Sequence, residues 1–356
     1  MPSNINNLKS EYSNFAVIFP RFSGPYGGEK ICIKTINQLV KFGYAVDLYT
    51  TYLDPASKKV IHPKIKIFEK PRIKIKSHNL ANLVAYFTMP ALAKNILFNL
   101  KNKKYKYIIG QTWQSALALW YLKRRIKKNS TRLIYHCFEP PRFLYDLKNE
   151  RGLLAKIISP FIRLIDKKAV QKGPDQIIAI SDLVQKWIEK IYDKDAQIIY
   201  PGVEINHFKQ YTKEQARQVL KIPKNQEIFL SISKLHKRKR LKLAMRIFKK
   251  KRTQKEAELI MAGTGPEKEN LKKYAQKIGI GKNIKFIGQI THNTVVLWNT
   301  AADYFIFTAK NEPFGIAPQE AKIAGAKILP KERPYPIWSW KKSVKRFLNS
   351  IVDNLI

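Results

Sequence analysis

Short apolar runs alternate with segments of helical spacing in the first part of the chain. Residues 15–20 (FAVIFP) form the first run, and a glycine-rich turn covers residues 22–30. Residues 31–43 carry apolar side chains at helical steps as far as Gly43, and a second apolar run follows at 45–50. A strand, a glycine loop, a helix and a strand in this order predict the opening of a parallel, doubly wound sheet.

The same alternation continues through most of the chain. We expect further strands at residues 105–111, 132–137, 175–181, 196–202, 227–233, 257–263, 283–288 and 302–308. A polar stretch at 206–226 is interpreted as an interdomain linker. The pattern therefore predicts an α/β fold with two Rossmann-like, doubly wound domains, residues 1–205 and 206–330, that face each other across a cleft where ligands usually bind.

Isoleucines and lysines alternate between Lys64 and Lys76. As a strand, this segment has one apolar and one basic face. One interpretation is a surface that meets an anionic membrane, together with the nearby apolar stretch Leu80–Leu100. The other interpretation is an edge strand that lysines keep from pairing with another chain.

The composition is that of a globular protein of 356 residues, with 45% apolar and 12% aromatic residues, which is enough for two hydrophobic cores. Cys32 and Cys137 are too few for a disulfide framework or a four-ligand zinc site, and they predict a reducing compartment. The N-terminal residues are polar, and polar residues interrupt Leu80–Leu100. We therefore expect a cytoplasmic protein without a membrane-spanning segment.

The charge is strongly positive. The chain has 67 Lys and Arg against 26 Asp and Glu, a net charge of +41. Nucleic acid, anionic lipid headgroups and sugar nucleotides are all partners that such a surface attracts. A generally charged surface without a specific partner explains the same excess.

The most specific pattern lies at residues 311–329. Glu312 and Glu320 stand on either side of the pair Phe314-Gly315. A glycine lets the backbone approach a ligand closely, amides at a helix start face a phosphate group, and carboxylates bind sugar hydroxyls. Two solvated glutamates at a helix start are the alternative.

This pattern resembles the signature of the family 4 retaining glycosyltransferases (glycosyl transferases group 1), which have the GT-B fold. The resemblance implies that Glu312 contacts the transferred sugar and that Glu320 contacts the ribose of the nucleotide. It also implies that the donor is bound by the intervening segment Phe314, Gly315, Ile316 and Ala317.

Two further segments are similar to the same family. In residues 231–240, Lys234 and Lys239 fall where the family places two cations that bind the diphosphate, the first of them usually arginine. With Glu312, they are the expected catalytic residues. A solvated basic face or a nucleic-acid patch is the alternative. Residues 262–271 resemble the family's glycine turn beside the nucleotide base, which implies that Gly263 and Gly265 bind the donor.

In the first domain, Gly27-Gly28 resembles the family's glycine loop, which implies that Gly28 binds the donor and that Gly27 lies near the acceptor. Residues 136–146 resemble a stretch in which a histidine that follows the cysteine faces the acceptor. Phe138 occupies that position here, so His136 is the nearby candidate. The alternative is a buried histidine with a packing role.

The chain departs from the family pattern after Leu329. Full-length relatives have a further glycine loop, strands and helices there, whereas this chain passes directly to a segment similar to the family's terminal helix. We therefore expect an incomplete second domain and, within residues 331–356, an amphipathic helix that braces the first domain. A membrane-facing helix is the alternative. Its apolar stripe comprises Trp340, Val344, Phe347, Leu348, Ile351 and Leu355.

The function implied by the resemblance is transfer of a sugar from a nucleoside diphosphate sugar to an acceptor hydroxyl with retention of configuration, with no cofactor and no obligatory metal. The acceptor is a glycan, a lipid-linked molecule or a protein, and the enzyme lies in the cytoplasm or at the inner membrane face. A non-catalytic GT-B protein that binds nucleic acid or anionic membrane is the alternative. A glycoside hydrolase is less compatible, because its acids normally come from separate strand ends.

Overall fold

The computed structural model describes residues 14–25, 27–69, 84, 86–101, 104–127, 130–145, 153–253, 256–331 and 335–352. The chain divides into two compact units. Unit 1 comprises Met1–Gly202 and Trp340–Ile356, and unit 2 comprises Val203–Ser339. The division after Gly202 falls slightly before the predicted boundary at 205/206, and residues 331–339 belong to unit 2.

Unit 1 contains nine strands and eight helices in its described part. The strands are β1 (Asn14–Ile18), β2 (Arg21–Phe22), β3 (Ala45–Thr50), β4 (Tyr52–Leu53), β5 (Lys66–Glu69), β6 (Tyr105–Gln111), β7 (Arg132–Cys137), β8 (Gln176–Ala179) and β9 (Gln197–Ile198). The helices are α1 (Gly28–Lys41), α2 (Pro55–Val60), α3 (Met89–Asn99), α4 (Ser115–Lys123), α5 (Arg142–Tyr145), α6 (Leu153–Lys172), α7 (Asp182–Tyr192) and, at the end of the chain, α13 (Trp340–Val352).

Seven strands of unit 1 form one parallel sheet in the order β5-β3-β1-β6-β7-β8-β9. The interior strand β1 is buried on both faces, from Phe15 to Ile18, as expected when helices cover both sides of a parallel sheet. The order reverses between β1 and β6, which defines the switch point of a doubly wound sheet. Among the described strands, β5 pairs with β3 alone and lies at the edge of the sheet, so the edge-strand interpretation is confirmed for Lys66–Glu69. Residues 70–76 lie outside the described residues.

Helix α1 shows how local sequence sets an element. It begins after Gly27, whose φ is +57°, and buries one apolar face that includes Ile33 and Ile36. It ends as the sequence predicts, because Gly43 adopts φ +92° and the amide of Tyr44 bonds back to the carbonyl of Leu39 at 3.1 Å. This is the glycine-terminated arrangement that satisfies the last carbonyls of a helix.

Unit 2 contains a smaller sheet of the same type. Its strands are β10 (Ile228–Ile232), β11 (Glu258–Ala262), β12 (Ile284–Gly288), β13 (Tyr304–Ile306) and β14 (Lys327–Leu329). Its helices are α8 (Lys213–Val219), α9 (Leu241–Lys251), α10 (Lys268–Lys277), α11 (His292–Ala301) and α12 (Ile316–Ile323), with short 3₁₀ turns at Ile205–Lys209, Lys237–Lys239 and Gly281–Asn283.

The strands of unit 2 run parallel in the order β12-β11-β10-β13-β14. Numbered along the chain, this is 3-2-1-4-5, whereas the usual dinucleotide-binding sheet is 3-2-1-4-5-6. No sixth strand follows β14 in the described part of unit 2. The segment 206–226, predicted as a linker, instead contains α8, which Arg217 anchors by bonds to the carbonyl of Ala301 and the carboxylate of Asp303.

Helix α13 is a structural part of unit 1. Ser343 Oγ donates to the carbonyl of Tyr200 at 2.7 Å, and Arg132 Nη1 donates to the carbonyl of Ile351 at 2.7 Å. The described residues of its apolar stripe, Trp340 to Ile351, are buried. The stripe therefore packs inside unit 1 and presents no apolar face to a membrane, while Leu355 lies outside the described residues.

Among the described residues, no helix combines the length and the apolar composition needed to cross a bilayer. Cys32 and Cys137 are both free and buried. Burial raises the pKa of each thiol above its usual value.

Candidate functional site

The carboxyl ends of β10 and β13 meet at the switch point of unit 2, which is where ligands bind in open parallel sheets. The loop after β10 carries Lys234 and Lys239, and the loop after β13 carries Glu312 and Phe314. Residues far apart in the sequence are thus brought to one edge because their strands are neighbours.

Polar contacts of Lys239 and Thr308 join these loops. Lys239 Nζ lies 2.9 Å from Glu312 Oε2, with the two side chains 19% and 23% exposed. Thr308 Oγ1 donates to the backbone carbonyl of Lys239 at 2.7 Å. The pair is partly shielded from water, so it interacts more strongly than an ordinary surface ion pair. Its geometry fixes both charged groups at the end of the sheet.

The loop after β10 concentrates positive charge. Lys234 is exposed, and a 3₁₀ turn at Lys237–Lys239 follows His236, whose Nδ1 accepts from the amide of Arg238 at 3.4 Å. Arg240 then adopts a left-handed conformation with φ +53°, which ends the turn and begins α9. Five of the residues from 234 to 240 are Lys or Arg, so the loop suits a ligand with several negative charges.

Gly263 and Gly265 bring the loops after β10 and β11 into direct backbone contact. A Cβ on Gly263 would lie 2.0 Å from the carbonyl oxygen of Ser233, and one on Gly265 would lie 2.3 Å from that of Leu235. Between them, the amide of Leu235 donates to the carbonyl of Thr264 at 2.8 Å. Both glycines are therefore required by packing, whatever ligand they face.

Phe314 and Gly315 form the turn into α12. Gly315 has φ +75°, and a Cβ there would meet the ring of Phe307 at 3.2 Å. Phe314 is buried and stacks on Tyr335, with 5.3 Å between ring centroids. The helix α12 begins at Ile316. The first amides of a helix have no hydrogen-bond partner within it, so the amides of Ile316 and Ala317 form an end of α12 that suits an anion.

The two glutamates of the motif have different surroundings. Glu312 is held by Lys239, whereas Glu320 lies on α12 and is only 6% exposed. Neither is a solvated side chain on an open helix face, so that alternative interpretation is wrong.

The sequence-predicted residues of unit 1 lie at the carboxyl ends of its strands. Gly27 and Gly28 begin α1 after β1, and a Cβ on Gly28 would approach the ring of Phe138 to 3.3 Å. Phe138 therefore packs directly on the glycine loop. Its ring takes the place where the family pattern has a histidine.

His136 lies beneath the surface of unit 1 and is 4% exposed. Gln111 Nε2 lies 3.2 Å from its Nδ1, and the rings of Phe138 and Phe347 pack against it at 4.8 and 5.3 Å. Burial lowers the pKa of His136 to about 3, so the ring is neutral at physiological pH. These contacts favour the packing role over contact with an acceptor.

Four residues of unit 2 contribute to the site and were not predicted from the sequence. Thr308 holds the carbonyls of Lys239 and Arg240, and Tyr335 covers Phe314. Arg240 and Asn311 adopt left-handed φ values of +53° and +54°, which are uncommon outside glycine. Only the left-handed Asn311 had a weak cue, because asparagine tolerates this conformation better than most residues.

Two family models match the chain. The model described as Glycosyltransferase Family 4 matches residues 25–207, just over half of the chain. The model described as Glycosyl transferases group 1 matches residues 212–329 and covers the whole switch-point edge of unit 2.

Curated relatives are distant in sequence. D-inositol 3-phosphate glycosyltransferase 2 of Catenulispora acidiphila is 23% identical over 63% of this chain, and the match spans about half of that protein, 54%. Alpha-monoglucosyldiacylglycerol synthase of Streptococcus pneumoniae is 23% identical over 89% of this chain and 70% of the relative.

Solved structures share the fold. Sucrose-phosphate synthase of Thermosynechococcus elongatus matches with a TM-score of 0.71 and 18% identity over 89% of this chain and 80% of that one. The Anabaena protein HepE, in complex with UDP and glucose, matches with a TM-score of 0.64 and 15% identity over 96% of this chain and 91% of its own.

Proposed function

The chain belongs to glycosyltransferase family 4, and on that premise we propose that it transfers a sugar from a nucleoside diphosphate sugar to an acceptor hydroxyl with retention of configuration. The observation that carries the proposal is the Lys239–Glu312 pair at the switch point of unit 2. A cation and a carboxylate held side by side suit a ligand that joins a diphosphate to a polyhydroxylated ring.

In this proposal Lys239 and Lys234 stabilise the negative charge that develops on the departing diphosphate. The ammonium of Lys239 has three donors, so it can hold Glu312 and a phosphate oxygen at once. The amides of Ile316 and Ala317 add neutral donors at the start of α12. Each preorganised donor of this kind contributes about 2–4 kcal/mol to lowering the barrier.

With the diphosphate held at Lys239 and Lys234, other residues of the switch-point edge lie next to the remaining parts of the donor in this proposal. Glu312 binds hydroxyls of the transferred sugar, and Glu320 binds the ribose. The turn that contains Gly263 and Gly265 lies beside the base. Packing already requires the turn glycines, so their substitution alone does not test ligand contact.

A uridine nucleotide is the first donor to test. Support comes from HepE, which was solved with UDP and glucose. A lipid-borne acceptor is the first acceptor to test, and support comes from the name of the Streptococcus pneumoniae relative, a glucosyldiacylglycerol synthase. We further propose that no divalent metal is required.

The experiment is incubation of the full chain with radiolabelled UDP-, GDP- and ADP-sugars, with and without membrane lipids. We expect one donor to be hydrolysed slowly alone and transferred faster when the acceptor is present. EDTA should leave the rate unchanged. Lys239→Ala should lower turnover by about 100-fold or more, whereas Lys250→Ala on the exposed side of α9 should leave it unchanged. Absence of hydrolysis and of donor binding across the panel would refute the proposal.

A further inference from the structure

Unit 2 contains a cavity at the edge of its sheet opposite to the switch-point loops. The cavity has a volume of about 350 Å³ and is lined by α8, by the segment that precedes β10 and by residues at the starts of β13 and β14. Because the strands are parallel, these starts meet at the amino edge of the sheet, whereas Lys239 and Glu312 lie in loops at its carboxyl edge. The cavity is therefore separate from the donor site proposed above.

The lining of this cavity is polar and has an excess of positive charge. Its charged side chains are four cations and two carboxylates, namely Lys213, Arg217, Lys224, Lys327, Glu227 and Asp303. Neutral polar side chains are contributed by Asn225, Gln226 and Tyr304. Such a lining favours a small anion that also carries hydroxyl groups.

Both carboxylates of the lining are already bonded within unit 2. Asp303 accepts from Lys213 Nζ, and it accepts from Arg217 Nη2 at 2.8 Å. Glu227 accepts from the amide and the hydroxyl of Thr253 at 2.9 and 3.2 Å. The carboxylates are therefore occupied by these donors, and the other two lysines of the lining remain to interact with a ligand.

The Arg217–Asp303 pair holds the backbone that carries those two lysines. Arg217 is 7% exposed, and its Nη1 donates to the carbonyl of Lys224 at 2.5 Å. The carbonyl of Asp303 accepts from the amide of Lys327 at 2.9 Å. One buried ion pair thus fixes the segment before β10 and the start of β14, so both lysines extend from defined backbone positions at the cavity.

The ammonium groups of Lys224 and Lys327 are available for a ligand. Both residues are exposed, and neither side chain forms an ion pair or a hydrogen bond with another residue of the part that the structure describes. Gly325 also belongs to the lining, and an added Cβ there would have no atom within 4 Å. The space beside the lysines is consequently open to a small molecule.

A phosphate monoester fits both the charge and the size of the cavity. A phosphate monoester carries a charge of about −1.5 to −2 at neutral pH, and lysine binds phosphate as a point charge with three donors. The volume lies at the lower end of the usual range for small-molecule pockets, about 300–1,000 Å³. It leaves room beside the phosphate for a group of about the size of one sugar ring.

We propose that this cavity binds a small phosphate monoester of the sugar-phosphate class. The phosphate group lies between Lys224 and Lys327, and the neutral side chains of Asn225 and Tyr304 bond to hydroxyls of the ligand. The site is independent of the donor-binding edge and goes beyond the proposed function, because it gives unit 2 a second ligand at the opposite end of the same sheet.

The test is calorimetric titration of the full chain with glucose 6-phosphate, inorganic phosphate and glucose at constant ionic strength. We expect glucose 6-phosphate to bind more tightly than inorganic phosphate, and glucose not to bind. Lys224→Gln/Lys327→Gln should lower the affinity for glucose 6-phosphate about tenfold or more, because two charge-assisted contacts are lost. The matched control Lys249→Gln/Lys250→Gln removes the same charge from exposed positions of α9 and should keep the wild-type affinity.

A second comparison separates this site from the donor-binding edge. Lys239→Ala should bind glucose 6-phosphate as the wild type does. Lys224→Gln/Lys327→Gln should hydrolyse the donor as the wild type does when no sugar phosphate is present. Thermal melts verify that each variant folds, and glucose 6-phosphate should raise the melting temperature of the wild type but not that of the double variant. A failure to find a donor would leave these binding results unaffected.

Four results would overturn the proposal. One is the absence of glucose 6-phosphate binding. Another is an affinity that Lys224→Gln/Lys327→Gln leaves unchanged or that the α9 control lowers equally. A third is equal affinity for inorganic phosphate and for the ester, because that would reduce the ligand to the free ion. The last is loss of glucose 6-phosphate binding in Lys239→Ala, which would place the ester at the carboxyl edge instead.

Discussion

The two units have the same kind of sheet but different chemistry at its carboxyl edge. In unit 2, the loops at the switch point carry cations and a carboxylate that pair with each other at 2.9 Å. In unit 1, the corresponding end carries glycines, Phe138 and a neutral, buried His136. In both units the parallel sheet brings loops together at its carboxyl edge, and the residues of those loops determine whether the edge suits a charged ligand.

The units also differ in how they are completed. The sheet of unit 1 has seven strands and is packed by α13 from the far end of the chain. The sheet of unit 2 has five strands and ends at β14. In the described part of unit 2, no strand follows β14, and residues 330–339 lead from it to α13 in unit 1.

The largest expected effect concerns this dependence of unit 1 on α13. Phe347 is 1% exposed and packs on His136, so Phe347→Ala should lower the free energy of unfolding by about 3–5 kcal/mol. Hydrogen exchange should show lost protection in β7 and β8 and none in β10 and β11. Deleting residues 336–356 should cost more. Lys345→Ala on the exposed side of α13 is the control. Equal loss of protection in the two sheets would contradict the assignment of α13 to unit 1.

The next prediction concerns the carboxyl group of Asp166 in unit 1, which is 0% exposed, whereas the buried carboxylates Glu227 and Glu320 of unit 2 are 9% and 6% exposed. Asp166 is fully buried and accepts hydrogen bonds from Tyr145 and Tyr192 at 2.8 and 2.9 Å. Desolvation outweighs these bonds and raises the pKa of Asp166 to about 7. Because the native state then holds this proton more tightly than the unfolded chain, stability falls as the pH rises from about 4 to about 7.

Complete ionisation of Asp166 should cost roughly 4 kcal/mol. The measurement is the free energy of unfolding of the wild type and of Asp166→Asn from acidic to mildly basic pH. The variant should lose less stability over that range. Asp175→Asn, which removes a partly exposed carboxylate of unit 1, should keep the wild-type slope in the upper part of the range. Parallel curves for wild type and Asp166→Asn would show that the pKa of this carboxyl group is not raised in the folded state.

In both units, the features that could be predicted from the sequence are those set by neighbouring residues in the chain. Apolar runs and glycine positions located the long strands and the end of α1, because those signals are local. The short strands β2 and β4 were not predicted, since two residues carry no periodicity. Nor did the sequence indicate that Lys239 pairs with Glu312 or that Phe347 covers His136. Those contacts join positions far apart in the chain and depend on strand order and helix packing.

A third prediction tests the charged edge of unit 2. Lys239→Ala should lower kcat by about 100-fold or more, because a donor aimed at the developing diphosphate charge is lost. Glu320→Ala should mainly weaken donor binding, measured by calorimetric titration. Lys237→Ala, in the same loop but exposed, is the control and should change either quantity only slightly. Unchanged donor affinity in Glu320→Ala and unchanged turnover in Lys239→Ala would remove both residues from the site.

The smallest expected effect separates two kinds of glycine in unit 2. Gly279 has φ +72° with nothing within 4 Å of an added Cβ, so Gly279→Ala meets only backbone strain of about 1 kcal/mol. Gly263 has φ +131°, and its Cβ would lie 2.0 Å from the carbonyl of Ser233, so Gly263→Ala also has to separate the loops after β10 and β11. We expect it to cost about 2 kcal/mol more than Gly279→Ala in thermal unfolding. Because the displaced loop carries Lys234, donor affinity should fall in Gly263→Ala and remain in Gly279→Ala. Equal effects on stability and affinity in the two variants would mean that the loop contact at Gly263 does not position the charged edge.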